Sequence, residues 1–183
     1  SAASDVYKRQ DWRGIDSFNG LTERQAISAL YECCSSSIWA LRVARARPFP
    51  DEEALLEYAD LILAELTDAD LDEALAGHPR IGERPDNPSS KREQSGVAGA
   101  DPAVLARLRE LNEAYDEKFG HVYLVFANGR PADELLAILE QRLRNDPATE
   151  RRVLRMELAK INRSRLQRML APAGRFAGEV ADV

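Results

Sequence analysis

The sequence predicts an all-α fold: a single-domain bundle of six to eight helices with a functional loop after the third or fourth helix. Three observations carry that expectation. Apolar residues recur at helical spacing through most of the 183 residues. Acidic or hydroxyl caps, two of them followed by proline, precede those stretches. Only Val122 to Ala127 reads as an extended segment, and one strand without a partner makes no sheet.

Residues 1–16 are polar and aperiodic and are expected to pack loosely; the helical domain is expected over 17–170 and a flexible tail over 171–183. Thr22-Glu23-Arg24-Gln25, preceded by Leu21, fits the capping box, in which hydroxyl and amide side chains satisfy each other's backbone donors. It opens a helix through Ile27, Leu30 and Tyr31 towards Trp39. Arg47-Pro48-Phe49-Pro50 breaks the chain. Asp51 then caps a helix whose acidic first turn suits the helix dipole and which carries Leu55, Leu56, Ala59, Ile62, Leu63 and Leu66. Asp68 caps a shorter helix ended by Gly77. Asp101-Pro102, a cap followed by proline at the first helical position, starts a helix with Leu105, Leu108, Leu111 and Tyr115 that stops at Gly120. Asn128-Gly129-Arg130-Pro131 turns the chain into a helix bearing Leu135, Leu136, Ile138, Leu139 and Leu143. Asp146-Pro147 repeats the cap-proline signature and begins the last long helix, to about Leu170. No internal repeat, heptad seam or linker interrupts this series.

The bulk numbers exclude several function classes. A net charge of -6 argues against a nucleic-acid binder, which would carry a basic face. No apolar run approaches the roughly 20 residues that a membrane span needs. The two cysteines, Cys33 and Cys34, are adjacent, poorly placed to bridge each other on a helix, and leave no disulfide framework. The N-terminus lacks the basic end and apolar stretch of a secretory leader, and Ala181-Asp182-Val183 is not a peroxisomal tripeptide. The expectation is a reduced, cytoplasmic protein.

Chemistry concentrates in the loop from His78-Pro79-Arg80-Ile81-Gly82 to Ser90-Lys91-Arg92-Glu93-Gln94-Ser95-Gly96. Pro79 holds His78 in an extended backbone, so the ring is presented stiffly, and imidazole is suited to proton transfer near neutral pH. The structural alternative is that His78 answers helix-end carbonyls. Glu93 can orient His78 or relay its proton, with Ser90 and Gln94 as neutral donors and free helix-start amides for an anion. It equally fits a capping box begun by Ser90. On a wheel of about 100° per residue, the last helix gathers Leu154, Leu158, Ile161 and Met169 on one face, with Arg165 in the middle. A guanidinium there needs an anion or carbonyls, from a ligand or from a buried ion pair.

These pieces resemble the 2-oxo-4-hydroxy-4-carboxy-5-ureidoimidazoline (OHCU) decarboxylases of the route from urate to allantoin. The resemblance runs from Phe18-Asn19 to Leu170. It includes Cys33-Cys34-Ser35 with Trp39, Arg47-Pro48-Phe49, both loop motifs, Leu111-Asn112 with Tyr115, Lys118-Phe119-Gly120, Lys160-Ile161 and Arg165-Leu166. It implies an all-α homodimer without metal or organic cofactor, acting on a small anionic ureidoimidazoline. It further implies that His78, Glu93 and Arg165 are catalytic. Pro79, Ser90, Lys91, Arg92, Gln94 and the stretch Tyr123, Leu124, Val125, Phe126 and Ala127 would line the substrate pocket, the last partly through backbone groups. His121 departs from the aromatic that the resemblance leads one to expect there. Two other readings remain open from the residues: a metal-assisted hydrolase using His78, His121 and Glu93, and a non-catalytic helical module whose loop recognises a partner.

Overall fold

The computed structural model describes residues 14–83 and 87–171. Among them it has nine α-helices, one short 3-10 turn and no strand: α1 (Ile15–Asn19), α2 (Glu23–Cys33), α3 (Ser37–Arg45), α4 (Glu52–Glu65), α5 (Asp68–Ala76), α6 (Pro88–Glu93), α7 (Pro102–Phe119), α8 (Ala132–Arg142) and α9 (Pro147–Leu170). The all-α expectation holds. The helix count exceeds six to eight, and the His78 loop follows the fifth helix rather than the third or fourth.

Local chemistry explains the difference. Ile15 and Asp16, expected to pack loosely, open the short α1. The first long helix stops at Cys33, and the Ser36 hydroxyl accepts from the Trp39 amide at 3.3 Å to start α3, so Trp39 belongs to a separate helix. Asn87-Pro88 starts α6 within the expected loop. At α5 the cap is Thr67 rather than Asp68, its hydroxyl accepting from the Asp70 amide at 3.2 Å. The other caps stand as expected: Thr22 with Gln25, Asp51 to Ala54, Asp101 to Ala103 and Asp146 to Thr149. The remaining residues of the expected loose ends, 1–13 and 172–183, lie outside the described residues.

The chain divides into two compact units, one of residues up to 70 and from 162 onwards, the other of 71–161. Both divisions fall inside helices, α5 and α9, which is why no linker composition marks them.

In the first unit, α3 packs against α2 and α4. Phe18, Leu30, Trp39, Leu55 and Ile62 are buried there, and the Trp39 indole donates to the Ala59 carbonyl at 3.0 Å. Arg47 gathers carbonyls that helix ends leave unmet: those of Ala44 at 2.8 Å, Phe18 at 3.0 Å and Leu21 at 2.7 Å. The Asn19 side-chain amide engages both backbone groups of Phe49, donating to the carbonyl at 2.8 Å and accepting from the amide at 2.9 Å.

In the second unit, α7 and α8 pack together over a core that includes Ile81, Leu108, Tyr115, Tyr123, Leu135 and Leu139. Residues 122–127 run extended. Side chains serve their backbone in place of a neighbouring strand: Arg142 donates to the Leu124 carbonyl, and the Phe126 amide donates to Glu157 Oε2 at 2.8 Å. No helix among the described residues is long and apolar enough to cross a membrane.

Candidate active site

The second unit carries the loop motifs. The His78 amide donates to the Leu75 carbonyl at 3.0 Å, which closes the end of α5. From there the loop is pinned at successive points. Arg80 pairs with the Asp116 carboxylate on α7, the Asn112 amide donates to the Ile81 carbonyl at 2.9 Å, and Ile81 itself is buried. Gly82 takes φ 91°, a left-handed conformation that glycine adopts without penalty. Its amide donates to Gln94 Oε1 at 3.2 Å, which joins the two loop motifs directly. His78, Pro79 and Arg80 are half-buried and line one wall of an open pocket of about 470 Å³ whose other wall includes Asp116, His121 and Val122.

The five candidates from Ser90 to Gln94 separate by helix geometry. Ser90, Glu93 and Gln94 stand at i, i+3 and i+4 and so share a face. They are 2%, 9% and 8% exposed. Lys91 and Arg92 are exposed on the other side. Lys91 stands beside Gly82, Gln94, Val97 and Leu105 at a second, largely apolar pocket of about 440 Å³.

The capping box expected from Ser90 to Glu93 is not formed. Asn87 is the N-cap, its side chain accepting from the Ser90 amide at 2.7 Å, and Glu93 is the last residue of α6 rather than its third. The pattern Asn87-Pro88, cap then proline, outcompeted the later serine. Glu93 is therefore buried for some reason other than capping this helix.

The stretch from Tyr123 to Ala127 joins the same unit through its following turn. The Gly129 amide donates to the Glu93 carbonyl at 2.9 Å. Gly96 lies against that turn so closely that a Cβ would stand 2.2 Å from the Gly129 oxygen and 2.3 Å from the Arg130 oxygen. That explains the glycine of the Ser95-Gly96 motif: two backbones meet there. Tyr123, Leu124, Val125 and Ala127 are buried and Phe126 half-buried. Two of the backbone groups expected to face a ligand, the Leu124 carbonyl and Phe126 amide, already hold Arg142 and Glu157.

His121 stacks on Phe119 and meets Tyr115 edge-on, an aromatic role despite its imidazole. Among the described residues no group of three or more His, Cys, Asp or Glu side chains is placed to hold a metal ion.

Arg165 belongs to the first unit. It is 8% exposed, within the stripe of α9 as its spacing predicted, and its Nη1 donates to the Cys33 carbonyl at 3.3 Å. Burial pushes the Cys33 thiol up to about 12, with the nearby Arg165 charge opposing.

Sequence reasoning missed the most buried ion pair among the described residues. Arg142 and Glu150, 5% and 0% exposed, pair inside the second unit, and Glu150 also accepts from the Tyr115 hydroxyl. Burial, the largest single influence, would weaken the hold of Arg142 on its proton, but the hydrogen bond to Glu150 together with the electrostatic pull of Tyr115, Glu150 and Tyr123 outweighs it, so its affinity rises. Tyr115 is pushed up, mainly by burial and further by Glu150. The available signal was Arg142 falling one turn after Ile138 and Leu139 and two turns after Leu135; its polar neighbours Gln141 and Arg144 mask that spacing.

Residues 19–167 match the family model for OHCU decarboxylase. The chain is 31% identical over 156 residues to the uric acid degradation bifunctional protein of Arabidopsis thaliana, covering 80% of this chain but 48% of that one, so it spans about half of that relative's length. It is 26% identical to the 2-oxo-4-hydroxy-4-carboxy-5-ureidoimidazoline decarboxylase of Amia calva, over 84% of this chain and 85% of that one. It is also similar to a crystal structure of an OHCU decarboxylase in the presence of (S)-allantoin, with a TM-score of 0.69 and 28% identity, covering 76% of this chain and 95% of that chain.

Proposed function

The chain belongs to the OHCU decarboxylase family, and from that premise we propose that it converts 2-oxo-4-hydroxy-4-carboxy-5-ureidoimidazoline to (S)-allantoin and carbon dioxide in urate degradation. In this reaction the bond from ring carbon to carboxylate breaks, and its electron pair passes into the adjacent ring imine. The nitrogen takes a proton and leaves an enol; the enol hydroxyl then gives up its proton to become the ring carbonyl as a proton reaches one face of the carbon bearing the ureido group, which sets the configuration and leaves one proton consumed overall. The substrate thus supplies its own electron sink. The protein's task is to orient the ring, answer its negative charge and control proton delivery.

The observation that carries the reading is the bond from the Gly82 amide to Gln94. It holds the loop bearing His78 against the end of α6, where Glu93 is buried without a capping role. His78 is the proton-transferring group and Glu93 its orienting carboxylate. Arg165 answers the substrate's anionic edge, and Pro79, Ser90, Gln94 and the Tyr123–Ala127 stretch shape the pocket; Lys91 and Arg92 contribute charge from the outer side of α6. The catalytic domain is residues 17–170, cytoplasmic and homodimeric, with no metal or organic cofactor.

The test is chiral detection of allantoin formed from freshly generated substrate. His78→Ala should lower the enzymatic rate by roughly 10²-fold or more, the scale of one general acid–base group, with unchanged circular dichroism. Wild-type turnover in that variant would sink the role given to His78.

A further inference from the structure

The α9 helix carries a second polar side chain inside its apolar stripe. Asn162 is 2% exposed, flanked in projection by Leu158 and Leu166, which are 0% and 1% exposed. It stands three residues before Arg165, about 60° around the helix from it. Both polar atoms of its side chain, Nδ2 and Oδ1, are buried without a hydrogen-bond partner. Asn112 and Asp116 each leave one buried oxygen unmet, but Asn112 Nδ2 donates to Ile81 and Asp116 Oδ2 accepts from Arg80. Asn162 alone among the described residues leaves a donor and an acceptor unmet together.

Such an amide is poorly suited to a purely structural place. A leucine of nearly the same shape would remove the desolvation cost at both atoms. Buried polar groups are normally met, and those that are not point to a role or to something that binds there. Asn19, in the same unit, displays the chemistry Asn162 has on offer, because its carboxamide engages an N–H and a C=O at once, at 2.9 and 2.8 Å. A side-chain amide in that posture matches any ligand edge with an adjacent amide donor and acceptor.

We propose that Asn162 is a substrate-binding residue that pairs with an N–H/C=O edge of the substrate, in its ureido group or its cyclic urea, while Arg165 one turn further on answers the anionic edge. The proposal rests on the decarboxylase reading above. Arg165 alone would hold any small carboxylate; an amide beside it selects a ligand that combines an anion with a urea. Asn162 is thereby a specificity-determining residue, acting chiefly on binding.

The experiment compares wild type, Asn162→Leu and Asn162→Ala for Tm, for KM and kcat in the chiral assay, and for calorimetric binding of (S)-allantoin. Asn162→Leu should keep or raise Tm while KM rises about tenfold or more, equivalent to about 1.4 kcal/mol of lost binding. Its kcat should change by less than about threefold, and its affinity for (S)-allantoin should fall in parallel. KM and (S)-allantoin affinity within twofold of wild type in a folded variant overturn the proposal and make the amide a packing residue. If Asn162→Leu loses Tm, Asn162→Ala, which cannot overpack, gives the same reading. A wild-type protein that neither accelerates substrate decay nor binds (S)-allantoin overturns the decarboxylase reading itself, a result distinct from an active wild type with indifferent variants.

Discussion

Cys33 shows how one buried side chain writes a pH dependence into the fold. Its thiol is 6% exposed at the end of α2 and is raised from 9.0 to about 12, chiefly by burial. The folded protein therefore keeps this proton to higher pH than the unfolded chain does. The contribution to stability is whole below pH 9 and is lost progressively as pH rises towards 12. Urea denaturation of wild type and Cys33→Ala should reveal this as a difference that narrows across that window. The same protonated state predicts slow alkylation of the native thiol by iodoacetamide at pH 8, with rapid alkylation after unfolding. A thiol that reacts as fast folded as unfolded would contradict the burial argument.

The elements around the candidate site depend on close backbone approach. Gly96→Ala would force a Cβ against two backbone carbonyls, neither of which can rotate away as a flexible side chain can. The expected cost is about 1–3 kcal/mol or more, the range for overpacking, and activity should fall as well, because the displaced turn includes the Gly129 amide that holds Glu93. Gly99→Ala is the control: its φ is positive at 76°, unlike that of Gly96, so it carries a backbone cost of its own, but nothing lies near its Cβ position, so a Tm loss smaller than that of Gly96→Ala is expected. Helix starts marked by Asp-Pro were legible in the sequence because the cap and the proline impose the same local geometry. The stop between α2 and α3 was not, since Cys33-Cys34-Ser35-Ser36 carries no glycine or proline and only the Ser36 cap distinguishes it. The Ser90 box was misplaced for the converse reason: its pattern was complete, but Asn87-Pro88 lay upstream and fixed the helix start first.

At the scale of the whole molecule, the all-α architecture and the loop motifs were legible because periodicity and punctuation are local. The division into two units was not, because its boundaries fall within α5 and α9, nor was the network of Arg142, Glu150 and Tyr115, which unites residues distant in sequence. That network ties α7, α8 and α9 to the extended segment within the second unit. Glu150→Ala should destabilise by about 3–5 kcal/mol, the cost of leaving a buried charge uncompensated, measured by urea denaturation; a loss below 1 kcal/mol would show the pair to be dispensable. Replacing Arg142 and Glu150 together by apolar residues should cost less than the sum of the single losses. The extended segment has a consequence of its own. Because the Phe126 amide is held by the side chain of Glu157 rather than by a strand carbonyl, its shelter from solvent rests on one side chain that a substitution can remove. In a nitrogen–proton NMR spectrum that one resonance becomes an internal indicator, moving upfield and losing protection from solvent exchange in Glu157→Ala.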